Sequence, residues 1–317
     1  MSIASLTVCL VTLSACGDAQ SEQDDPVTAA PYVYVGDGRL GLARAAERTP
    51  LRRFVLAFLL SHQSRCEPVW NTGRPLADAH VLAEARALRA TGAAVTVASG
   101  GASGTYLENT CATAGELADA YVRALDRTGA DWLDVDIETG IPVQLVAEAL
   151  REVQDRRGAR ISVTVEVLDE RRGLPASATE LLRALAWRNV DVVVNAMVMN
   201  FPPDNGWRVA MLRAAESVTD QIGQIWPSDG RDGAYRRLGL TYMAGRNDTG
   251  VVTTLADARA LRDYAGEHDL AYLGFWSLAR DNGRCPGERD AREDCSGLAQ
   301  HTYDFARATA HVPEEGE

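Results

Sequence analysis

Short apolar runs rich in β-branched residues alternate along the chain with longer segments in which apolar residues recur three and four positions apart. This alternation is typical of βα units that build a parallel sheet. Eight runs are predicted as strands: 32–35, 54–61, 94–99, 132–138, 160–167, 191–201, 239–244 and 271–278. Helices are predicted between them, including 78–90, 114–128, 143–156, 177–187, 209–222 and 255–268.

Eight βα units in about 280 residues match the size of a TIM barrel. Residues 31–311 contain no low-complexity linker or composition shift, so they are interpreted as one domain. A doubly wound open sheet is the alternative, but it usually carries a glycine-rich phosphate turn after its first strand. Gly36-Asp37-Gly38 is too short for that turn. The sequence therefore predicts an α/β fold consisting of a single (β/α)8 TIM barrel.

The fourth predicted strand carries acidic residues at alternate positions, Asp134, Asp136 and Glu138, separated by apolar residues. Because side chains of a strand alternate between its two faces, all three carboxyl groups point the same way. In a barrel the apolar face packs under the helices, and the acids line the interior with Glu138 nearest the C-terminal mouth. Like charges held close together share protons, so this arrangement favours a general acid over a solvated strand edge or a cation site.

The charge of the chain limits its partners. A formal net charge of −12 and a pI near 5.0 argue against nucleic acid or an anionic membrane surface, because both require a basic face. The five histidines are scattered without metal-ligand spacing, so neither a metal nor a cofactor is expected. A neutral substrate fits this composition better.

The first sixteen residues contain an apolar run too short to span a bilayer, followed by small residues, as in a signal peptide. Residues 13–16, Leu-Ser-Ala-Cys, resemble a bacterial lipobox, which implies cleavage before Cys16 and a lipid on its sulfur. Residues 17–30 are then expected to form a disordered tether, and 312–317 a disordered tail. Export without a lipid anchor is the alternative, so the protein is expected to be secreted or anchored in the cell envelope.

Four cysteines remain outside the signal: Cys66, Cys111, Cys285 and Cys295. They lack the CxxC spacing of zinc or redox motifs, and an even set in an exported protein is usually structural. Cys285 and Cys295 bracket a polar loop that a disulfide would close, which leaves Cys66 with Cys111. The sequence alone does not fix this connectivity.

The acidic strand resembles a family signature. Asp131-x-x-Asp134-x-Asp136-x-Glu138 is similar to the strand-four motif of glycoside hydrolase family 18. The run VTVASGGASG (95–104), which includes Gly100 and Gly101, resembles the Ser-x-Gly-Gly motif of strand three in that family. VNAMVMNF (194–201) resembles the strand-six motif, and GFWSLARD (274–281) the end of strand eight in bacterial secreted chitinases.

The resemblance implies retaining hydrolysis of β-1,4 N-acetylglucosamine linkages by a monomeric enzyme. The 2-acetamido group of the substrate would act as the nucleophile, in place of the second carboxylate of most glycosidases. Glu138 would be the acid and base, Asp136 would orient the acetamido group, and Asp134 would tune Asp136. The implied substrate contacts are Trp276, Asn200 and Met197, with Asp131, Gly100 and Gly101 in support.

Three positions depart from the family pattern. Ala98 replaces the serine of Ser-x-Gly-Gly, which removes a hydroxyl that would contact the inner aspartate, and Asn200 and Phe201 stand where related enzymes have Asp followed by Tyr. Such losses typically cost about 10²–10³ in rate. Two alternatives therefore stay open beside a chitinase: a catalytically weak or silent chitin-binding lectin, and an endo-β-N-acetylglucosaminidase.

Overall fold

The computed structural model describes residues 27–38 and 40–310. The predicted signal segment, the lipidation site Cys16, most of the predicted tether and the predicted tail lie outside these residues.

Eight parallel strands form the framework of the protein. They are β1 (Thr28–Tyr34), β2 (Arg53–His62), β3 (Ala94–Gly100), β4 (Trp132–Ile137), β5 (Arg160–Glu166), β6 (Val192–Met197), β7 (Leu238–Met243) and β8 (Tyr272–Trp276). Each strand pairs with its neighbour in sequence, and β1 pairs with both β2 and β8. This last pairing closes the sheet, which confirms the predicted (β/α)8 barrel.

Helices cover the outside of the barrel. Within the described residues they are α1 (Leu42–Arg48), α2 (Ala79–Ala90), α3 (Ala114–Thr128), α4 (Val143–Arg157), α5 (Ala176–Trp187), α6 (Trp207–Ile225), α7 (Gly230–Arg237), α8 (Leu255–Glu267) and α9 (Asp304–Thr309). The six predicted helices are confirmed to within a few residues. The sequence analysis missed α1, α7 and α9, which have eight residues or fewer and so show little periodicity. None of the helices in the described ranges combines the length and apolar character needed to cross a membrane.

Three predicted bounds were wrong. β1 begins at Thr28, where it pairs with Tyr272, so the barrel starts inside the segment expected to be a tether. β6 ends at Met197 rather than at 201, and β8 ends at Trp276 rather than at 278. In both later cases the apolar run continues past the last ladder pair, because the loop above the barrel is also buried.

Two disulfides fasten loops at the barrel surface. Cys66 lies on the strand Arg65–Trp70, which folds back antiparallel against β2, and it is bonded to Cys111 with a Cα–Cα distance of 4.6 Å. Cys285 is bonded to Cys295 with a Cα–Cα distance of 6.0 Å. The predicted pairing is confirmed.

The buried side chains form two layers. The larger layer lies between the outward face of the strands and the helices, and it is mostly aliphatic with a minority of aromatic side chains. The smaller layer fills the barrel interior with aromatic and small side chains: Ala30, Tyr32, Val55, Ala57, Phe58, Ala98, Trp132, Val193 and Tyr272. Polar groups inside the barrel are therefore surrounded by rings and methyl groups.

Candidate active site

The acidic residues of β4 form a column inside the barrel. Asp134 and Asp136 are 2% and 3% exposed, whereas Leu133 and Val135 are fully buried on the opposite face against the helices. Glu138 follows the last residue of β4 and is exposed at the C-terminal mouth. The column thus runs from the dry interior to solvent, as strand alternation predicts.

Asp134, at the bottom of the column, accepts hydrogen bonds from three hydroxyl groups. The Tyr32 hydroxyl lies 2.8 Å from Oδ2, while the hydroxyls of Ser162 and Thr164 lie 2.5 and 2.8 Å from Oδ1. Burial raises the pKa of Asp134 to about 6, although these three donors act to lower it. Of the two buried aspartates in the column, Asp134 is therefore the better hydrogen-bonded.

Hydroxyl donors on β5 replace the one missing at Ala98. Ala98 lies beside Asp134 in the sheet register and offers only a methyl group, but Ser162 is the β5 partner of Asp134 on the other side. The hydroxyl missing at Ala98 therefore does not leave Asp134 without donors. Ser162 and Thr164 alternate on β5, so a search for inward polar residues on that strand would have found them.

The same hydrogen-bond network crosses the barrel. Thr164 receives a hydrogen bond from the Asn195 amide nitrogen at 2.8 Å, and this amide also lies 3.1 Å from the Tyr32 hydroxyl. The Asn195 carbonyl oxygen accepts from Thr241 at 3.0 Å. Side chains of β1, β4, β5, β6 and β7 are thereby held together beneath the cavity.

Asp136, in the middle of the column, is less satisfied. Its Oδ1 atom is buried and has no hydrogen-bond partner within the described part of the chain. Burial, followed by the charges of Glu138 and Asp134, raises the pKa of Asp136. The site therefore favours a neutral Asp136, or a ligand group that donates a hydrogen bond to it.

Glu138 is surrounded by other acids at the mouth. Partial burial raises its pKa, and the charges of Glu166 and Asp248 raise it further. Glu166 ends β5, and Asp248 lies in the loop after β7. Sequence reasoning missed both. Glu166 continues the alternation of Ser162 and Thr164 and was detectable, whereas a loop residue such as Asp248 follows no period.

A cavity of about 220 Å³ opens above the acid column. Trp276 lies in it, half-buried, with its ring stacked on Phe58 at a centroid distance of 5.7 Å and an interplanar angle of 13°. The neighbouring Phe275 faces the outer layer, where it stacks on Tyr242 at 5.8 Å. Tyr242 is fully buried away from the cavity, as is Trp70 in the core. The cavity thus has an aromatic wall opposite the acids.

The chain after β6 supplies a second wall of the cavity. Met197, Met199 and Asn200 all line it. Asn200 has a left-handed backbone (φ 61°), and its side chain pairs with Asp248 through two hydrogen bonds of 2.8 and 2.9 Å. The Asp248 carboxylate therefore adjoins the Asn200 amide at this wall, although β6 itself carries no carboxylate.

Phe201 lies outside the cavity. Its ring is buried against Trp207, with centroids 4.8 Å apart, and it does not line the cavity. Because β6 ends at Met197, strand alternation does not extend to Phe201. Met199, on the other side of Asn200 in the sequence, lines the cavity instead.

Gly100, which ends β3, and Gly101, which follows it, allow close approach to β4. At Gly100 (φ 96°) a Cβ atom would lie 2.0 Å from the carbonyl oxygen of Asp136, and at Gly101 it would lie 2.7 Å from the Phe58 ring. The Gly101 N–H donates to that same carbonyl at 3.0 Å. These residues therefore support the site through their backbone.

Asp131 does not belong to the site. It is exposed at the N-terminal end of β4, where it forms an ion pair of 2.6 Å with Arg53. The first aspartate of the motif therefore lies at the end of β4 opposite to Glu138. No cluster of three His, Cys, Asp or Glu side chains suited to a metal ion occurs in the described ranges.

Comparisons with known proteins agree with this geometry. The catalytic domain of a hyperthermophilic chitinase from Pyrococcus furiosus is 31% identical, with a TM-score of 0.81, and the alignment covers 90% of this chain and 94% of that domain. Catalytic-site mutants of the second active domain of the P. furiosus chitinase, solved with chito-oligosaccharides, match equally well, with 31% identity and a TM-score of 0.81 over 90% of this chain and 93% of theirs. No family model matches the chain.

A curated relative is a probable bifunctional chitinase/lysozyme from Escherichia coli K12, 28% identical over 295 residues. The alignment covers 86% of this chain but only 32% of the E. coli protein. The whole-length likeness to the P. furiosus domain, together with the acid column of β4, shows that the chain belongs to glycoside hydrolase family 18.

Removing the middle charge of the column is expected to stabilise the protein. Because the raised pKa values make the folded state bind more protons than the unfolded state, wild-type stability should fall as pH rises from about 4 through 6. Asp136→Asn should raise the thermal midpoint at pH 7 by about 2–4 °C, the shift that about 1 kcal/mol produces in a large domain. Calorimetry across pH 4–8 measures this effect.

The matched control for this measurement is Asp131→Asn, which changes the same residue type on the same strand but removes an exposed ion pair. It should leave the midpoint unchanged or slightly lower. An Asp136→Asn protein that is less stable than wild type at pH 7 would contradict the expected cost of the buried charge.

Proposed function

We propose that this protein hydrolyses β-1,4 linkages between N-acetylglucosamine residues, in chitin or chito-oligosaccharides. The observation that carries the proposal is the position of Asp136 relative to Glu138. Two residues apart on one face of β4, one carboxyl is buried with an unpartnered oxygen and the other is exposed at the rim of the same cavity. The chitinase names of the relatives support this substrate class.

The two carboxyl groups suit two steps of a substrate-assisted retaining reaction. In the first step, the 2-acetamido oxygen of the substrate attacks the anomeric carbon while Glu138 transfers its proton to the leaving glycosidic oxygen. The raised pKa of Glu138 favours the protonated form that this step needs. The C–O bond breaks, and a positively charged cyclic intermediate remains in the cavity.

Asp136 stabilises that intermediate. Its unpartnered Oδ1 accepts a hydrogen bond from the N–H of the acetamido group, which favours the ionised form of Asp136, and this carboxylate stabilises the positive charge of the intermediate. In the second step Glu138 removes a proton from water, which attacks the anomeric carbon and reopens the ring. The Asp134 network, with its three hydroxyl donors, holds the strand beneath and shares the negative charge.

The aromatic wall accounts for binding of the sugar ring. Trp276 offers a flat face to the C–H surface of a pyranose, and Phe58 stacked behind it fixes the angle of that face. The pairing of Asn200 with Asp248 restores a carboxylate at the wall where the sequence pattern lacks one. This favours an active enzyme over a silent lectin.

Glu138→Gln is expected to lower kcat by about 10²–10⁴-fold, the usual contribution of a positioned general acid. Hydrolysis of a chromogenic chitotrioside measures the loss, and calorimetry with chitotetraose should show that binding is retained. Glu180→Gln is the matched control, since Glu180 is an exposed glutamate that lies in the groove behind Glu138 and should be dispensable. Oligosaccharide binding without turnover by wild type would favour a lectin instead.

Glu166→Gln is expected to move the alkaline limb of the pH–activity profile to lower pH. An acid catalyst works only while protonated, so activity is lost as pH rises through its pKa. Removing the Glu166 charge lowers the pKa of Glu138. The profile of kcat/KM on chitotrioside from pH 4 to 9 measures the limb, and a shift toward higher pH would contradict this assignment.

We propose that the protein acts as a monomer, because one chain supplies every side chain of the site.

We also propose that the protein is exported and anchored through a lipid on Cys16. The two disulfides support an oxidising compartment. The test expresses the protein in a bacterial host and measures the intact mass of the detergent-phase protein by mass spectrometry. This mass should exceed that of the polypeptide cleaved before Cys16 by the mass of a diacylglyceryl group. Cys16→Ala should abolish this increment, and an unmodified wild-type cysteine would contradict anchoring.

A further inference from the structure

The backbone of Glu138 is held by a side chain and not by the sheet. The β3–β4 ladder ends at Gly100 and Asp136, and the β4–β5 ladder ends at Ile137 and Val165. One residue beyond, the Glu138 N–H donates to the hydroxyl of Tyr106 at 3.0 Å. That hydroxyl donates in turn to the Gly101 carbonyl at 2.7 Å. Tyr106 is 2% exposed, so water does not compete for these bonds.

The same segment holds the chain on the far side of Glu138. The Asn109 side-chain nitrogen donates to the Gly140 carbonyl at 3.0 Å. Tyr106 and Asn109 belong to the segment from Tyr106 to Cys111, which we call the brace. The brace therefore contacts the backbone both at Glu138 itself and two residues after it.

Three neighbouring elements anchor the brace. The Cys66–Cys111 disulfide fixes it to the strand paired with β2. The fully buried Glu108 accepts a hydrogen bond from Ser99 of β3 at 2.8 Å and another from Tyr121 of α3. Burial raises the pKa of Glu108, although both donors favour its charged form. A buried acid at this place serves to fix the brace in position.

The carboxyl of Glu138 depends on this backbone support. Within the described residues it forms no hydrogen bond or ion pair, so no side-chain bond fixes its position and the backbone at Glu138 sets where the carboxyl begins. Displacing a catalytic group by about 1 Å costs on the order of 10²-fold in rate.

We propose that Tyr106 is a positioning residue for the general acid: its hydroxyl fixes the main chain at Glu138 and thereby the carboxyl above the cavity. The inference rests on the proposed function in that Glu138 is the acid. Tyr106 adds no charge and contributes nothing to substrate binding, so its effect falls on kcat and not on KM.

The test replaces Tyr106 by Phe, which removes only the hydroxyl. On chitotrioside, kcat should fall by about 10- to 100-fold, while KM stays within about two-fold and the alkaline limb keeps its position. Tyr242→Phe is the matched control: Tyr242 is also fully buried, and its hydroxyl bonds to Thr309 at 2.6 Å, far from the cavity. The control variant should keep wild-type kcat.

Amide hydrogen exchange gives a readout independent of turnover. In Tyr106→Phe the Glu138 amide should exchange at least about ten-fold faster, since its acceptor is gone, while amides in the middle of β4 keep their protection. If wild type does not hydrolyse the substrate, the proposed function fails and this measurement still tests the brace. Unchanged kcat and unchanged Glu138 protection would overturn the inference, as would an equal loss in Tyr242→Phe.

Should Tyr106→Phe fail to fold, Asn109→Ala tests the same support from the exposed side of the brace. It should lower kcat several-fold with KM unchanged and speed exchange around Gly140. Wild-type kcat and exchange in this variant would overturn the inference.

Discussion

The structure depends on keeping three carboxyl groups in one column inside a closed barrel. Carboxylates in a low-dielectric interior repel one another and lose their hydration. Each carboxyl group must therefore be neutralised, hydrogen-bonded or exposed to water. The chain uses all three means, one for each level. Asp134 receives hydroxyl donors, Asp136 is held where neutrality is favoured, and Glu138 reaches the mouth. The result is a gradient of solvation along about 13 Å of chain.

The surroundings of the column follow from the same constraint. Tyr32, Ser162, Thr164 and Asn195 are polar residues in a barrel interior otherwise filled by rings and methyl groups, and each bonds to the column or to a group that does. At Gly100 a side chain would collide with the Asp136 carbonyl, and at Gly101 it would collide with the Phe58 ring. Residues far apart in sequence are thus selected together by the needs of one strand.

Much of this arrangement was accessible from sequence because it obeys a period. Eight strands, six helices and the orientation of Asp134, Asp136 and Glu138 all follow from alternation or helical spacing. The opposite faces of Trp276 and Phe275 obey the same strand alternation. The features that the sequence did not reveal lie where the period stops. Phe201 lies beyond the end of β6, and Asp131 lies at the far end of its strand. Asp248 and Tyr106 act from loops. Loop residues reach the site through tertiary contacts, and no local pattern records these.

The pairing of Thr28 with Tyr272 has a geometric consequence. It places the start of β1 at the N-terminal rim of the barrel, and six residues later the strand ends at Tyr34 beside Trp276. At about 3.3 Å per residue, roughly 20 Å of protein separates the two rims. The cleft therefore opens at the rim opposite to the one at which β1 begins.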